Sequence, residues 1–183
     1  MTIQGGHKPY DWDIRGRVIE GTLECSEGFP LKSGQTVKPG KVRARLQGSI
    51  PVRSLHSCFG SLMDEFMYSE MNETNAPRIL FHFSNWLLTA SPVPNGAPYK
   101  FETQAELVLA GITNRISMPV TITPMPGNKL KISADTFIKL ANLGLQASRS
   151  VSLFIKNGDE IRLSFDCFVA RKPPPVTRAQ AIR

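Results

Sequence analysis

The side chains that could carry out chemistry are few in this sequence and stand far apart. The 183-residue chain has three histidines, His7, His56 and His82, and none of them stands in an HExxH or other metal-binding spacing. His82 alternates with phenylalanines on a predicted strand, so it should point away from their face. Asp64 and Glu65 are adjacent on a predicted helix, where neighbouring residues face different directions, so they do not form a pair of catalytic carboxylates.

A polar segment at residues 54–58, SLHSC, combines serine, histidine and cysteine. Residues this close in the chain rarely form a nucleophile–base pair, and no glycine-rich phosphate loop follows a predicted strand. The three cysteines, Cys25, Cys58 and Cys167, have no CxxC spacing and cannot build a disulfide framework. The sequence therefore predicts a protein that is not an enzyme and requires no cofactor or metal ion.

The balance of charge limits the partners that the chain can have. The net charge is +7 and the isoelectric point is about 9.6. The basic residues are scattered, and several alternate with apolar residues on predicted strands, as at positions 41–45 and 129–131, which is typical of a solvated strand face. This pattern disfavours nucleic acid as a partner. It is compatible with transient contact with a membrane surface and with a homodimer.

Hydropathy places few limits on the cellular location of the protein. No stretch of about 18 apolar residues exists, so no transmembrane segment is predicted. The first thirteen residues, MTIQGGHKPYDWD, contain no apolar signal region. A cytoplasmic location and a location reached after removal of a signal segment are both compatible with this sequence.

The candidate residues must be positioned by strands, and the longest predicted pair is a hairpin over residues 99–122. Apolar and polar residues alternate in both of its halves, which is typical of strands with one buried face. Gly111 and Asn114 tolerate a positive φ angle, so the reversal is predicted at residues 111–114. A hairpin cannot bury its apolar face alone, so other strands must cover it.

The same alternation predicts further strands at 42–52, 78–88, 129–139 and 161–169, with a short eighth strand at 145–156. Residues 11–24 predict a long strand broken by Gly16 and Gly21, and its apolar residues change face, which indicates a bulge near one of these glycines or a strand buried on both sides. Gly48 marks a bend or a close approach to the backbone. Trp86 is assigned to the face opposite Phe81 and Phe83.

Two segments depart from the strand pattern. Residues 57–73 carry apolar residues at a spacing of three and four, which predicts one amphipathic helix that plugs a barrel or lies across a sheet. Residues 25–40 predict a long loop. Phe29 and Leu31 in this loop could cover an apolar surface, although a flexible surface excursion fits the residues equally well.

These elements predict a mainly β fold, an antiparallel lipocalin-like β-barrel of about eight strands with one short helix. The barrel domain is predicted over residues 10–170. Residues 171–183, which contain three consecutive prolines and have nothing to bury, predict a flexible, disordered tail.

The order of these motifs resembles the YceI-like family. The residues that carry the resemblance are Asp11-Trp12, the acidic pair in Met63-Asp64-Glu65, the strand start at 77–81 and the hairpin residues at 109–113. The segment Asn142-Leu143-Gly144 stands where the family has Asp-Phe-Gly. The resemblance covers roughly residues 10–170.

This resemblance implies an antiparallel barrel that binds a polyisoprenoid or quinone-type lipid for transport or storage, and it suggests a periplasmic or secreted location. The residues expected to line the apolar tunnel share the inward face of the predicted strands and are Phe81, Phe83, Phe101, Ala105, Leu107, Leu109, Val120, Ile132 and Phe165. Small inward residues, Ala44, Gly48, Ala105 and Ala134, favour a cavity. The alternative is a structural or interaction barrel whose core is filled by side chains.

Overall fold

A computed structural model describes residues 1–7, 10–90, 98–139 and 160–170, with side chains described except at 6, 7 and 10–12. The short strand predicted at 145–156 and the predicted tail at 171–183 lie outside these ranges. The departure from the family motif at 142–144 also lies outside them.

The described residues form eleven strands and one α-helix, as the sequence pattern of a mainly β chain predicts. The strands are β1 Thr2–His7, β2 Tyr10–Gly16, β3 Glu20–Cys25, β4 Gly40–Val42, β5 Ala44–Pro51, β6 Leu55–Ser57, β7 Arg78–Ala90, β8 Tyr99–Leu109, β9 Ile112–Met125, β10 Lys129–Lys139 and β11 Glu160–Ala170. The helix, α1, spans Ser61–Glu70. Seven of the eight predicted strands fall within the described ranges. The number rises to eleven because β1 and β6 were not predicted and because two predicted strands are each divided, after Gly16 and at Arg43.

All described strand pairs are antiparallel and belong to one sheet. Its order is β3-β5-β7-β8-β9-β10-β11-β1-β2-β6, and β4 also pairs with β7. Although β5 and β6 stand near opposite ends of this order, they are joined by only a single 3₁₀ turn, Val52–Ser54. The sheet therefore curls back towards itself into a half-barrel with a concave apolar face.

The central hairpin is confirmed, but its turn is tighter than predicted. Leu109 pairs with Ile112, so the turn consists of Ala110 and Gly111 alone. Both have positive φ angles, 52° and 83°, as a two-residue turn between twisted strands requires. The predicted positive φ angle at Gly111 is found, but the predicted extent of 111–114 was wrong, because the second left-handed residue is Ala110 and not Asn114.

Strand β7 contains an irregularity that reverses its two faces. Asn85 has a φ angle of 52°, and the pairing with β8 shifts between Ser84 and Leu87. Such a bulge inserts one extra residue and moves the following side chains to the opposite face. Trp86 is therefore buried on the concave side, and its predicted outward position was wrong.

Gly48 is a point of close approach, as predicted. It lies opposite Phe81 in the β5–β7 pairing. A Cβ atom at this position would lie 2.5 Å from the Phe81 Cζ and 2.6 Å from the Glu20 carbonyl oxygen. The glycine is needed because the Phe81 ring occupies the space of a side chain there.

Helix α1 is tied to β6 by polar contacts. The Asp64 carboxylate accepts a hydrogen bond from the Ser57 N–H at 2.6 Å and lies 3.0 Å from Nδ1 of His56. Burial alone would raise the pKa of Asp64, but these hydrogen bonds outweigh it and hold that pKa below its ordinary value. The Tyr68 hydroxyl donates to the Leu55 carbonyl at 2.8 Å.

The helix lies within the predicted residues 57–73, but it buries a different face from the one that the apolar spacing suggests. Met67, Tyr68 and Met71 are buried with Asp64, whereas Leu62 and Phe66 are exposed. The polar anchor at Asp64 explains the difference, since it turns the helix so that this carboxylate faces β6.

Candidate functional site

The concave face of the sheet carries one continuous apolar cluster, and the nine predicted lining residues all belong to it or pack against it. Seven of them are buried and two, Phe81 and Phe165, are half-buried. Strict alternation along β8 places Phe101, Ala105 and Leu107 on this face, between neighbours that are exposed or half-buried. The structure therefore brings the predicted residues together on one interior surface.

Aromatic rings cross the interior from one wall to the other. Phe165 on β11 stacks on Phe81 at 6.0 Å between ring centroids and meets Phe83 edge-on at 5.5 Å. Phe83 in turn packs against Trp86, whose ring contacts Phe101 edge-on at 5.5 Å. These contacts join β7, β8 and β11, so the rings occupy much of the space that the curled sheet encloses.

The loop between β3 and β4 closes one end of this interior. Phe29 is 1% exposed and lies against Trp86 and Phe101, with its ring stacked on Phe101 at 5.6 Å. The Tyr99 hydroxyl fixes the same loop by donating to the Gln35 carbonyl at 2.6 Å. Of the two interpretations of residues 25–40, the structure supports the covering role for Phe29, whereas Leu31 stays exposed.

A small cavity lies between the rings and the opposite wall. All of its lining residues are apolar: Met1, Ile19, Ile50, Ile79, Phe81, Phe83, Ala105, Leu107, Ile116, Met118, Leu163 and Phe165. The volume of this cavity is about 30 Å³. Ligand pockets usually offer about 300–1,000 Å³, so the interior is closed in this conformation. The small residue Gly48 contributes no free volume, because Phe81 lies over it.

Two polar side chains stand on the concave face of the central hairpin. The Thr103 hydroxyl donates a hydrogen bond to the Met118 carbonyl at 2.7 Å, so this buried hydroxyl has a hydrogen-bond partner. Asn114 lies opposite Leu107, and its buried Nδ2 has no hydrogen-bond partner among the described residues. This amide is a donor left available on an otherwise apolar wall.

Sequence reasoning missed three contributors to the interior. Trp86 was assigned to the wrong face, and the signal for the bulge was Asn85, a residue type that readily adopts a positive φ angle. Met1 and Ile19 line the cavity, but no alternating pattern precedes residue 10, and Ile19 lies between the end of β2 at Gly16 and the start of β3 at Glu20. The Met1 carbonyl accepts a hydrogen bond from the Gly16 N–H at 2.9 Å, which holds the N-terminus in place.

The other chemically capable groups lie apart from this interior. His82 is on the outer face, as predicted, with Nδ1 3.9 Å from the Glu106 carboxylate. Within the described ranges, no group of three or more histidine, cysteine, aspartate or glutamate side chains is arranged to hold a metal ion. None of the described helices is long and apolar enough to cross a membrane.

Cys167 provides a direct test of the direction in which β11 faces. Its side chain packs against the apolar cluster, and burial raises the pKa of its thiol to about 11. Because the thiolate is the reactive form, alkylation of Cys167 at pH 8 should be on the order of 100-fold slower than that of an ordinary exposed thiol. Exposed Cys58 supplies the internal comparison, read by peptide mass spectrometry. Equal labelling of both cysteines in the folded protein would contradict this orientation of β11.

The architecture is shared by solved structures of low sequence identity. The chain aligns with a YceI protein from Campylobacter jejuni at a TM-score of 0.62 and 15% identity, over 87% of this chain and 85% of that one. It aligns with BcnA from Burkholderia cenocepacia at 0.62 and 14%, over 92% and 95%. A polyisoprenoid binding domain from Saccharophagus degradans, implicated in plant cell wall breakdown, gives 0.65 and 13%, over 91% and 90%.

No protein-family model and no curated protein sequence matches the chain. The structural similarity extends over most of the length of each solved structure, including the curled sheet. It agrees with the family resemblance of the sequence motifs. The chain therefore has the fold of the YceI-like proteins.

Proposed function

We propose that this protein binds a long-chain apolar lipid, of the polyisoprenoid or quinone type, inside the curled sheet and carries or stores it. The observation that carries the proposal is the wholly apolar lining of the small cavity, to which five of the predicted residues contribute: Phe81, Phe83, Ala105, Leu107 and Phe165. A prenyl chain has no hydrogen-bonding groups, so such a wall leaves none of its atoms without a partner. One solved structure of this fold is a polyisoprenoid binding domain, which supports the same ligand class.

Binding of a long chain requires the interior to open. The cavity of about 30 Å³ is too small for a prenyl chain, so the rings that cross the interior must move aside. Phe81 and Phe165 are the side chains to expect in this role, because both are only half-buried and stack on each other. The driving term would be burial of hydrocarbon, about 25 cal/mol per Å² of apolar surface removed from water.

Asn114 supports a ligand that carries a polar head. Its unpartnered Nδ2 lies on the same face as Leu107, at the end of the hairpin. A buried donor without an acceptor costs about 1–3 kcal/mol, and a quinone carbonyl or a prenol oxygen would remove that cost. This contact would favour a headed isoprenoid over a plain hydrocarbon.

A structural barrel with a side-chain-filled core is the second candidate. The observation that favours it is the same small cavity, because rings from β7, β8 and β11 already fill most of the interior. In that case the protein would contact partners through its surface and retain no lipid.

Ligand titration separates the two candidates. Lipid-stripped protein would be incubated with a long polyprenol, with a straight-chain alcohol of equal carbon number and with a single-unit prenol, and complexes would be counted by native mass spectrometry. We expect a one-to-one complex with the polyprenol, weaker binding of the straight chain and none of the single unit, which buries too little surface. Absence of all complexes would favour the filled barrel, and equal binding of both long alcohols would contradict isoprenoid preference.

A further inference from the structure

The lysines and arginines of this protein divide into ion-paired and unpaired groups. Of the fifteen in the described ranges, six have a carboxylate within 4.0 Å, which leaves nine without one in that part of the chain. All nine are exposed, and six of them lie along one side of the barrel, near the end closed by Phe29. We call them the basic face: Lys32, Lys38, Lys41, Arg43, Arg45 and Lys100.

Strand pairing places these cations together. Lys41 lies opposite Leu87, and Lys100 lies opposite Ala90 on the same strand, β7. Arg45 lies opposite Glu24 in the pairing of β5 with β3. The Lys32 carbonyl accepts a hydrogen bond from the Tyr99 hydroxyl, so the loop that carries Lys32 and Lys38 is held against this barrel end.

A groove of about 680 Å³ lies within the basic face. It is lined by Lys41, Arg43 and Arg45 together with Glu24, Ser26 and Asn85. The groove forms where the pairing of β7 passes from β4 to β5 and the Asn85 bulge interrupts it. Three cations in one concavity repel one another, and an anion held between them would relieve that repulsion.

Carboxylates only partly offset the charge. Glu24, Glu27 and Glu102 are the acidic residues nearest in the chain and in the strand register, against six cations. Two apolar side chains lie among the cations, Leu31 and Leu87, which are 43% and 41% exposed. The basic face therefore combines excess positive charge with apolar groups available for contact.

We propose that the basic face docks on an anionic lipid bilayer, with phospholipid phosphates in the groove and with Leu31 and Leu87 at the level of the headgroups. Mixed cationic and apolar side chains suit the interface of an anionic membrane, where charge attracts the protein and apolar groups are buried. A nucleic acid would use the cations but would leave the two leucines in water. Docking would bring the loop that carries Phe29 against the membrane, and this inference stands whether or not the barrel holds a lipid.

Vesicle co-sedimentation tests the proposal with the whole protein. We expect binding to vesicles of phosphatidylcholine with 30% phosphatidylglycerol, no binding to phosphatidylcholine alone, and a steep loss of binding with salt. A double variant, Lys41→Glu with Arg43→Glu, should weaken binding by about 25-fold or more, because each cation near an anionic surface contributes about fivefold. The control is Arg17→Glu with Lys139→Glu, which changes the net charge equally at two exposed cations outside the basic face, neither of which has a carboxylate within 4.0 Å among the described residues.

Any of three other outcomes would contradict the proposal that the basic face docks on a bilayer. Equal weakening in both double variants would mean that net charge alone attracts the protein. Binding of glycerol phosphate without binding of anionic vesicles would identify a soluble phosphate ligand instead. If the protein bound duplex DNA but no vesicles, and if the Lys41 and Arg43 substitutions weakened the binding of DNA, the basic face would be a nucleic-acid site.

Discussion

Replacing Phe29 by alanine is expected to lower the free energy of unfolding by about 3–5 kcal/mol, the usual cost of truncating a buried phenylalanine. The ring is almost fully buried against Trp86 and Phe101, so its removal leaves a cavity at the closed end of the barrel. Because domains are stable by only about 5–15 kcal/mol, this loss should be plain in a urea titration. The variant should also release a bound lipid faster, since the closure of that end is gone.

The control for this variant is two residues away. Leu31→Ala changes an exposed side chain of the same loop, so its effect on stability should stay within about 0.5 kcal/mol. If Phe29→Ala were as stable as Leu31→Ala, the loop would not be seated on the barrel in solution.

Replacing Ala105 by tryptophan is expected to abolish lipid retention. Ala105 is 2% exposed and lines the cavity, so a large ring there would occupy the path of the ligand. The remaining volume of about 30 Å³ cannot take an indole, so the variant should also lose about 1–3 kcal/mol of stability through overpacking. Empty space inside the predicted barrel would have received the ring without such a loss, but the crossing rings leave too little of it.

Ser117→Trp is the matched control for Ala105→Trp. Ser117 lies on the exposed outer face of β9, on the neighbouring strand of the same hairpin. The same indole is added there without entering the interior. Lipid retention and the melting temperature should therefore stay close to those of the parent protein. Loss of lipid in both variants would show that the interior is not the site.

The alternation of apolar and polar residues predicted most of the interior correctly, because the strands that show this alternation are regular. In β8 and β10 every second residue is apolar except Thr103 and Thr136, and the buried positions follow this alternation closely. A one-residue change of register would turn all these side chains to the solvent, so the pattern specifies both the face and the register.

Prediction failed where a single residue in a positive φ conformation changed the path of the chain. Asn85 and Ala110 are the two cases, and they decided the side of Trp86 and the length of the central turn. Neither position has a glycine, the residue type that most readily predicts such a conformation.

Contacts between elements far apart in the sequence also cannot be predicted from the spacing of apolar residues. The Phe29 ring packs on residues more than fifty positions away, and nothing in its own loop specifies them. The same limit applied to helix α1, whose buried face is fixed by Asp64 rather than by its most apolar residues. The volume of the interior depends on how rings from three strands meet, so it could be obtained only from the structure.

Organic extraction of the purified parent protein, followed by mass spectrometry, tests the central claim most directly. We expect a prenyl lipid to be recovered from the parent and from Ser117→Trp, in a fixed ratio to protein, and to be absent from Ala105→Trp. Absence of lipid from all three proteins would contradict the claim and identify a barrel filled by its own side chains.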